Sequence, residues 1–146
     1  MTGPDGTYRV LVTGSRAWDN GLAVWEALES IQYYPRTLVV VHGGARGADD
    51  MASRWARVHG ACGGIADEPH EADWEGPCHP SCRPGHRRTR RDGTEFCPAA
   101  GAYRNAEMVA LGADLCLAFI RDGSRGATHC AGLAEKAGIP TRRFTH

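Results

Sequence analysis

The stretch Val-Val-Val-His-Gly-Gly-Ala-Arg-Gly-Ala-Asp-Asp, residues 39–50, contains the transition on which the rest of the fold depends. Its apolar half continues from Leu38 and predicts a buried strand, which ends abruptly at a glycine-rich turn. The residues after the turn have the apolar spacing of a helix: Ala48, Met51, Ala52, Trp55 and Val58. A strand, a tight loop and the beginning of a helix therefore follow one another.

This glycine-rich loop has two interpretations. Gly43, Gly44 and Gly47 let the backbone approach a ligand closely, and the first amides of the following helix lack intrahelical partners. Together with the helix dipole, these amides favour an anion such as phosphate. The alternative is a tight turn in which Asp49 caps the helix. The loop is not a P-loop, because the Gly-Lys-Ser/Thr ending is missing.

Strands and helices alternate along the rest of the chain, whose 146 residues suit a single domain with one core. Strands are predicted at 8–13, 38–41, 61–66, 114–120 and 139–144. Helices are predicted after a cap at Asp19 or Asn20, from 48 to about 59, from 99 to 111 and from about 128 to 136. The first helix has its apolar face at Leu22, Val24, Trp25, Leu28 and Ile31. The alternation predicts an α/β fold with a mainly parallel sheet flanked by helices.

Two further glycine loops, at 14–16 and 123–128, also follow predicted strands. Because the carboxyl ends of parallel strands meet at one edge of the sheet, we expect all three loops to line one ligand site. Each loop contains an arginine suited to phosphate, although we expect at least one of the three to point to solvent. Arg104 and Asn105 begin a later helix and either project into the same cleft or lie on the helix surface. The predicted ligand-binding residues are Gly14, Ser15, Arg16, Gly43, Gly44, Ala45, Arg46, Gly47, Asp49, Arg104, Asn105, Gly123, Ser124, Arg125, Gly126 and Thr128.

The segment 75–98 is rich in Pro, Gly, Arg and Cys and has almost no aliphatic residue, so it cannot form a hydrophobic core of its own. Three residues separate Cys78 from Cys82 and Cys82 from His86, and ten more precede Cys97. Such spacing is typical of structural zinc, and three cysteines with one histidine make a closed tetrahedral set. We therefore predict a structural zinc site that stabilises this insert. The alternative is a disordered Arg-rich loop with incidental cysteines; His79 is a competing ligand, but adjacent side chains rarely converge on one ion.

The other three cysteines are predicted to be small core residues, with Cys62 and Cys116 in strands and Cys130 in a helix. The formal net charge is zero, so the overall field does not indicate a nucleic-acid or membrane partner. No apolar run approaches the roughly 20 residues that cross a bilayer, and the polar lead-in at 1–7 lacks a signal-peptide core. We therefore expect a cytoplasmic protein without disulfides.

Four motifs, in this order, resemble those of the SLOG superfamily: Val-Thr-Gly-Ser-Arg (12–16), His-Gly-Gly-Ala-Arg-Gly-Ala-Asp (42–49), Ala-Gly-x-x-Arg-Asn-x-x-Met (100–108) and Gly-Ser-Arg-Gly-Ala-Thr (123–128). The superfamily joins DprA/Smf-like proteins, the cytokinin-activating "lonely guy" phosphoribohydrolases and YpsA/YspA-like proteins. The YspA-like group, often found in actinobacteria and their phages, is the best match. The resemblance implies a Rossmann-like fold with a site for nucleotides or nucleotide derivatives at the carboxyl edge of the sheet.

The resemblance does not decide whether the ligand is converted or only bound. The phosphoribohydrolases carry a Pro-Gly-Gly-x-Gly-Thr-x-x-Glu motif, whose Glu assists glycosidic cleavage. When Thr128 is aligned with the Thr of that motif, Ala131 stands in place of the Glu, and the proline is also missing. A carboxylate from elsewhere could substitute, so the catalytic candidates are Glu71, Asp73 and Arg104.

We therefore predict a protein that binds or senses a nucleotide-type small molecule, with a role in phage–host or stress signalling. The first alternative is a hydrolase of the N-glycosidic bond of nucleoside monophosphates. The second is a DprA-like nucleic-acid-associated module, which the zero net charge disfavours. We expect no membrane partner, and a homo-oligomer is compatible with the sequence.

Overall fold

A computed structural model of the chain describes residues 6–146. Most of the polar lead-in at 1–7, on which the expectation of a missing signal peptide depends, lies outside the described residues. Within residues 6–146, no helix combines the length and the apolar character needed to cross a membrane.

Seven strands and four helices make up the described part of the chain. The strands are β1 (Thr7–Gly14), β2 (Thr37–His42), β3 (Ile65–Pro69), β4 (Arg88–Thr89), β5 (Glu95–Phe96), β6 (Leu115–Ile120) and β7 (Thr141–Thr145). The helices are α1 (Gly21–Glu29), α2 (Ala48–His59), α3 (Ala100–Ala110) and α4 (Arg125–Lys136), and a short 3₁₀ turn covers Gly60–Cys62.

The main sheet has five strands in the order β3-β2-β1-β6-β7, and every neighbouring pair is parallel. In the middle of the sheet, Val10 of β1 aligns with Val40 on one side and Leu115 on the other. The remaining two strands, β4 and β5, form a small antiparallel hairpin inside the insert. The predicted α/β fold, with a Rossmann-like and mainly parallel sheet flanked by helices, is therefore confirmed.

Helices cover both faces of the sheet because successive strand residues point to opposite sides. One face of β1 places Val10 and Val12 in a buried cluster with residues of α1 and α2, such as Leu28 and Trp55. The other face places Leu11 in a second cluster with residues of α3 and α4. The buried strands therefore form near-continuous apolar runs.

The strand order reverses at the boundary between β1 and β6. The chain first moves outward from β1 to β2 and β3, and then returns through the insert and α3 to place β6 on the other side of β1. The loops that leave the carboxyl ends of β1 and β6 therefore diverge. In open parallel sheets the crevice formed by such a divergence is the usual place for a ligand.

The third strand begins four residues later than predicted. The prediction of a strand at 61–66 is wrong because Gly63 and Gly64 have φ values of +91° and +85°, which are incompatible with a strand. The chain instead makes the 3₁₀ turn that contains Cys62 and enters β3 at Ile65. Cys62 is consequently exposed, whereas Cys116 and Cys130 are buried as predicted.

The start of the last helix and the exposure of two apolar residues also differ from the prediction. The last helix begins at Arg125 and not near 128, because Ser124 is its N-cap and accepts the Thr128 amide. Leu22 and Val58, assigned by their spacing to apolar faces, are 69% and 63% exposed. Apolar periodicity correctly predicted α1 and α2. In each of these helices, however, the buried residues form a narrower stripe than the apolar residues do.

Candidate functional site

A cleft of about 770 Å³ opens at the carboxyl edge of the sheet, above the ends of the paired strands β1 and β6. All three glycine loops contribute to its lining, as does the first part of α3. Of the predicted ligand residues, the cleft is lined by Gly14, Ser15, Arg16, Ala45, Asp49, Arg104, Asn105, Ser124, Arg125 and Gly126. The structure therefore brings together residues that are more than 100 positions apart.

The first and third loops are joined through Ser15. Its hydroxyl accepts the backbone N–H of Arg121 at 2.7 Å and is hydrogen-bonded to the hydroxyl of Ser124. The Arg121 side chain reaches back to the first loop, where it donates to the Ala17 carbonyl at 3.1 Å and pairs with Asp19 at 2.9 Å. This part of the cleft floor is therefore set by contacts within the protein, and the Ser15 hydroxyl is not a free donor.

The second loop, which precedes α2, carries its own anion. The Asp49 Oδ2 atom accepts the amide of Gly43 at 2.9 Å and that of Ala45 at 3.4 Å. The N-cap of α2 is Gly47, so the interpretation of Asp49 as the helix cap is not what the structure shows. A carboxylate of the chain thus uses the loop amides that the sequence suggested for a ligand phosphate.

Asp49 is a buried carboxyl with an incomplete set of hydrogen bonds. The residue is 4% exposed, and its Oδ1 atom has no hydrogen-bond partner among the described residues. Burial raises the pKa of Asp49 to about 6, although His42 and the two loop amides act in the opposite direction. Carboxyl groups with such shifts in a cleft are candidates for function.

His42 holds the second loop in place through a hydrogen bond. It is buried, and its Nδ1 atom accepts the Gly44 amide at 3.0 Å. The ring proton therefore lies on Nε2, which contacts Asp67 Oδ1 at 2.7 Å. The other oxygen of Asp67 accepts the Ser53 hydroxyl at 2.9 Å. None of these three residues has a role that its local sequence predicts, and the position of His42 at the end of a strand was the available signal.

Close packing explains several of the loop glycines. A Cβ atom at Gly14 would lie 2.3 Å from the Ala48 side chain, and one at Gly47 would lie 2.3 Å from the Ser15 carbonyl oxygen. Gly44 has a φ of +70°, and a Cβ there would lie 2.8 Å from the Glu71 side chain. Gly43, Gly44, Arg46 and Gly47 do not line the cleft, nor do Gly123 and Thr128. These glycines therefore let protein segments approach one another.

The beginning of α4 offers a more open anion site than the beginning of α2. The first-turn amides of a helix have no intrahelical acceptor, and in α4 they belong to cleft residues such as Arg125 and Gly126. No acidic side chain lies in this turn, whereas the first turn of α2 contains Asp49 and Asp50. The helix dipole therefore favours an anion at α4.

Two exposed arginines face the cleft near α4. Arg16 and Arg125 both line it, and within residues 6–146 neither guanidinium donates a hydrogen bond or joins an ion pair. Arg46, the third loop arginine, is exposed outside the cleft, in line with the expectation that one would point to solvent. Arg16 and Arg125 are thus available to an anionic ligand.

Arg104 and Asn105 lie in the cleft wall but are engaged with the protein. Arg104 Nη1 donates to the carbonyls of Gly43 at 2.7 Å and His70 at 3.3 Å. Asn105 is buried; it accepts Arg104 Nε at 3.0 Å and donates to the Gly126 carbonyl at 3.4 Å. The pair ties α3 to the second loop and to α4, so it positions the cleft lining.

The two carboxylates suggested for catalysis lie elsewhere. Glu71 and Asp73 line a separate cavity of about 220 Å³ beside the insert, and among residues 6–146 only Arg104 borders both spaces. The carboxylates that do line the main cleft are Asp49 and Asp122. Glu71 and Asp73 follow β3, which is two strands away from β1 in the sheet.

Trp74 is the principal cleft residue to which the sequence analysis gave no role. Its ring lines the cleft, and the Arg16 guanidinium lies 5.7 Å from the ring centroid. Its carbonyl accepts the Cys97 amide at 2.8 Å, which joins it to the insert. Trp74 precedes the insert in an irregular segment, so no periodic pattern pointed to it; Arg121, Asp122 and His129 were missed as well.

The four predicted metal ligands converge in the insert. The donor atoms of Cys78, Cys82, His86 and Cys97 all lie within 4.8 Å of one another. His86 Nε2 is 3.1 Å from Cys78 Sγ and 3.3 Å from Cys97 Sγ, and the Sγ atoms of Cys82 and Cys97 are 3.9 Å apart. Tetrahedral coordination by sulfur and nitrogen gives edges of roughly 3.6–3.8 Å. The four residues therefore fit a single metal ion.

Neighbouring side chains surround this cluster without joining it. His79, the competing ligand, stacks on Tyr103 with ring centroids 4.3 Å apart, and its Nδ1 accepts the Ser81 amide. The Tyr103 hydroxyl lies 3.8 Å from Cys82 Sγ. Arg87 donates to Cys78 Sγ at 3.5 Å and to the Gly76 carbonyl at 2.8 Å. Such donors stabilise the negative charge of metal-bound thiolates.

The fold and the cleft define an α/β protein with a ligand crevice at the switch point of a parallel sheet and a Cys/His cluster beside it. A profile of the YspA, cpYpsA-related SLOG family matches residues 8–76. The Gene 61 protein of Mycobacterium phage D29 is 46% identical over 140 residues, which cover 93% of this chain and 95% of that protein. The chain therefore belongs to the YspA, cpYpsA-related SLOG family, as its motifs indicated. No solved structure matches it.

Proposed function

We propose that the chain binds a phosphate-bearing, nucleotide-type ligand in the cleft at the carboxyl ends of β1 and β6 and acts as a binding or sensing protein. The phosphate lies at the first turn of α4, between the guanidinium groups of Arg16 and Arg125. Membership of the SLOG family supports a nucleotide-related ligand. The cleft volume of about 770 Å³ falls within the usual range for small-molecule sites.

The pair of arginines that make no hydrogen bond or ion pair within residues 6–146 carries this proposal. Arg104 and Arg121 also line the cleft, but both donate hydrogen bonds to backbone carbonyls of the protein. Arg16 and Arg125 have no such acceptors within residues 6–146 and lie beside a helix whose first turn has no acidic residue. A phosphate there receives backbone amides and charge-assisted hydrogen bonds together.

Replacing Arg125 by glutamine is expected to weaken the binding of AMP and of ribose 5-phosphate about tenfold. A hydrogen bond to a charged group contributes about 1.5–3 kcal/mol, and about 1.4 kcal/mol corresponds to a tenfold change in Kd. Titration calorimetry measures both affinities. The control is Arg46→Gln, which changes an exposed loop arginine that does not line the cleft. Equal affinities in the wild type and Arg125→Gln, or equal losses in both variants, would refute the phosphate position.

We further propose that the ion of the insert is zinc. Three cysteines and one histidine are soft and intermediate donors that select zinc over magnesium or calcium. Four protein ligands leave no open coordination position, so the metal is structural and stabilises the insert at 75–98 within the single domain. The segment offers Cys97 as its only fully buried residue, and the hairpin β4–β5 has two residues in each strand.

Hydrolysis of an N-glycosidic bond is the second candidate function, and Asp49 is the observation that favours it. Its unpaired Oδ1 atom and raised pKa are properties of a general base. The Oδ1 atom is nevertheless covered by protein, and Oδ2 is occupied by two amides. We therefore expect binding without turnover.

Incubation with nucleoside monophosphates, NAD and ADP-ribose is expected to release no free base. Within residues 6–146, the carboxylates that line the cleft are Asp49, which is buried, and Asp122, whose exposed side chain no hydrogen bond holds. Chromatography of the reaction detects any base that is formed. Turnover that persists in Glu71→Gln but disappears in Asp49→Asn would replace the binding function by hydrolysis through Asp49. Turnover that disappears in Glu71→Gln would instead assign catalysis to the smaller cavity.

A further inference from the structure

An aromatic ring stands beside the proposed phosphate position. The Arg16 guanidinium lies 5.7 Å from the centroid of the Trp74 ring, and both side chains line the cleft. Within residues 6–146, the aromatic contact of Trp74 is with Phe96, and the two rings are inclined at an interplanar angle of 70°. No ring of the described residues therefore stacks face to face on the indole.

Three contacts hold Trp74 in an otherwise irregular segment. Its backbone carbonyl accepts the amide of Cys97, one of the four clustered metal donors. Phe96, at the end of the insert hairpin, packs against the ring with centroids 6.5 Å apart. The ring also lies so close to α3 that a Cβ atom at Gly101 would be 2.9 Å from it. The insert and α3 thus fix the position of the ring.

The Arg16 guanidinium, which lies over the Trp74 ring, indicates which kind of group can occupy the face of that ring. A guanidinium is planar and cationic, and it lies over indole by cation–π attraction. When Arg16 turns toward a phosphate, the indole face becomes available to another planar group. Every nucleobase presents a π-face, and stacking on an aromatic side chain is a common way to hold one.

We propose that Trp74 is the stacking platform for the base of the nucleotide-type ligand, and that the insert serves to position this platform. The inference rests on the proposed function, since it places the base relative to a phosphate at Arg16 and Arg125. It assigns the specificity of the cleft to an aromatic base and gives the Cys/His cluster a role in the ligand site.

The test compares ligands with and without a base. Ribose 5-phosphate carries the phosphate and the sugar, whereas AMP, GMP, CMP and UMP add a base. Stacking of one base contributes about 1–3 kcal/mol, so at least one nucleotide should bind the wild type about tenfold more tightly than ribose 5-phosphate. Trp74→Leu should remove this difference and leave the ribose 5-phosphate affinity unchanged, and Trp74→Phe should retain part of it.

Trp25→Leu is the matched control, because Trp25 is a partly exposed tryptophan on α1 that does not line the cleft. Trp25→Leu should preserve the affinities for the nucleotide and for ribose 5-phosphate. It should also preserve the quenching of tryptophan fluorescence that the nucleotide causes, whereas Trp74→Phe should abolish this quenching. If Trp74→Leu weakens ribose 5-phosphate and nucleotides equally, the ring only positions Arg16 and the platform is refuted. If the wild type binds ribose 5-phosphate and no nucleotide binds more tightly, the platform is refuted while the phosphate site stands. If neither class binds, both fail.

Discussion

Replacing Cys82 by serine is expected to abolish binding of the proposed zinc ion and unfold the insert while leaving the central sheet folded. Cys82 Sγ lies 3.9 Å from Cys97 Sγ within the four-residue cluster, and a hydroxyl is a poor substitute for a thiolate ligand of zinc. Structural zinc contributes about 10–16 kcal/mol of binding free energy in small zinc-dependent peptides. Nothing of that size is available from the exposed side chains of the insert.

Elemental analysis should find about one zinc per chain in the wild type and none in Cys82→Ser. Limited proteolysis should then cut the variant between residues 75 and 98, and circular dichroism should remain close to that of the wild type. Cys62→Ser is the matched control, because Cys62 is an exposed cysteine outside the cluster. A wild-type protein that is folded, metal-free and resistant to protease in the insert would contradict the zinc site.

Loss of the metal should also change ligand binding in the cleft. The Cys97 amide donates to the Trp74 carbonyl, so disorder of the insert removes a contact that fixes the ring. The advantage of a nucleotide over ribose 5-phosphate should therefore fall in Cys82→Ser, with the ribose 5-phosphate affinity retained. This pattern separates a role in positioning from a general loss of folding, which would weaken both ligands.

The metal cluster and the cleft differ in how far the sequence could predict them. Cys78, Cys82 and His86 are spaced at short intervals, so ligand chemistry and local reach were sufficient to predict that they converge. The parallel sheet followed from alternating patterns, which predict that strand ends share an edge. Local periodicity could not predict that Gly63 and Gly64 adopt positive φ and delay β3.

The sequence did not show which polar groups of the site are already hydrogen-bonded to other groups of the protein. The second glycine loop was interpreted as a phosphate site, yet Asp49 accepts its amides, and His42 holds the same loop through Gly44. Glu71 and Asp73 are close in sequence to residues that line the cleft, but they line another cavity. Which polar groups are already satisfied depends on tertiary contacts, and this decides which groups remain for a ligand.

The contribution of Asp49 to the stability of the folded chain is expected to fall as the pH rises from about 4 to about 6. An unperturbed Asp has a pKa of about 3.9, whereas burial raises that of Asp49 to about 6. The folded state therefore binds the proton more strongly than the unfolded state. The stabilisation by the protonated carboxyl is complete below pH 4 and is lost as the pH passes the folded pKa; two pKa units correspond to about 3 kcal/mol.

Asp49→Asn isolates this contribution. The amide oxygen of asparagine can still accept the Gly43 and Ala45 amides, but the side chain does not ionise. Urea unfolding at intervals between pH 4 and pH 7 gives the free energy of unfolding of both proteins. The difference between them should change by about 3 kcal/mol across this range, in favour of the variant at high pH. The carboxyl of Glu68, whose pKa is lowered from 4.5 to about 2 chiefly by its hydrogen bond with Arg9, contributes stability that is lost as the pH falls through this interval, and it does so equally in both proteins.

The pH dependence distinguishes ionisation from a simple change of packing. The Asp49→Asn substitution would place an N–H₂ group where Asp49 has its unpaired Oδ1, and an unpaired donor there shifts the unfolding free energy by the same amount at every pH. Only a carboxyl whose pKa differs between the folded and the unfolded state produces a difference with a slope, and ionisation of the buried carboxyl ends that slope above the folded pKa. A constant difference between the two proteins from pH 4 to pH 7 would show that Asp49 titrates as an ordinary carboxyl. A slope in the expected direction would show that the fold retains a destabilised charge at the cleft, as is typical of groups kept for function.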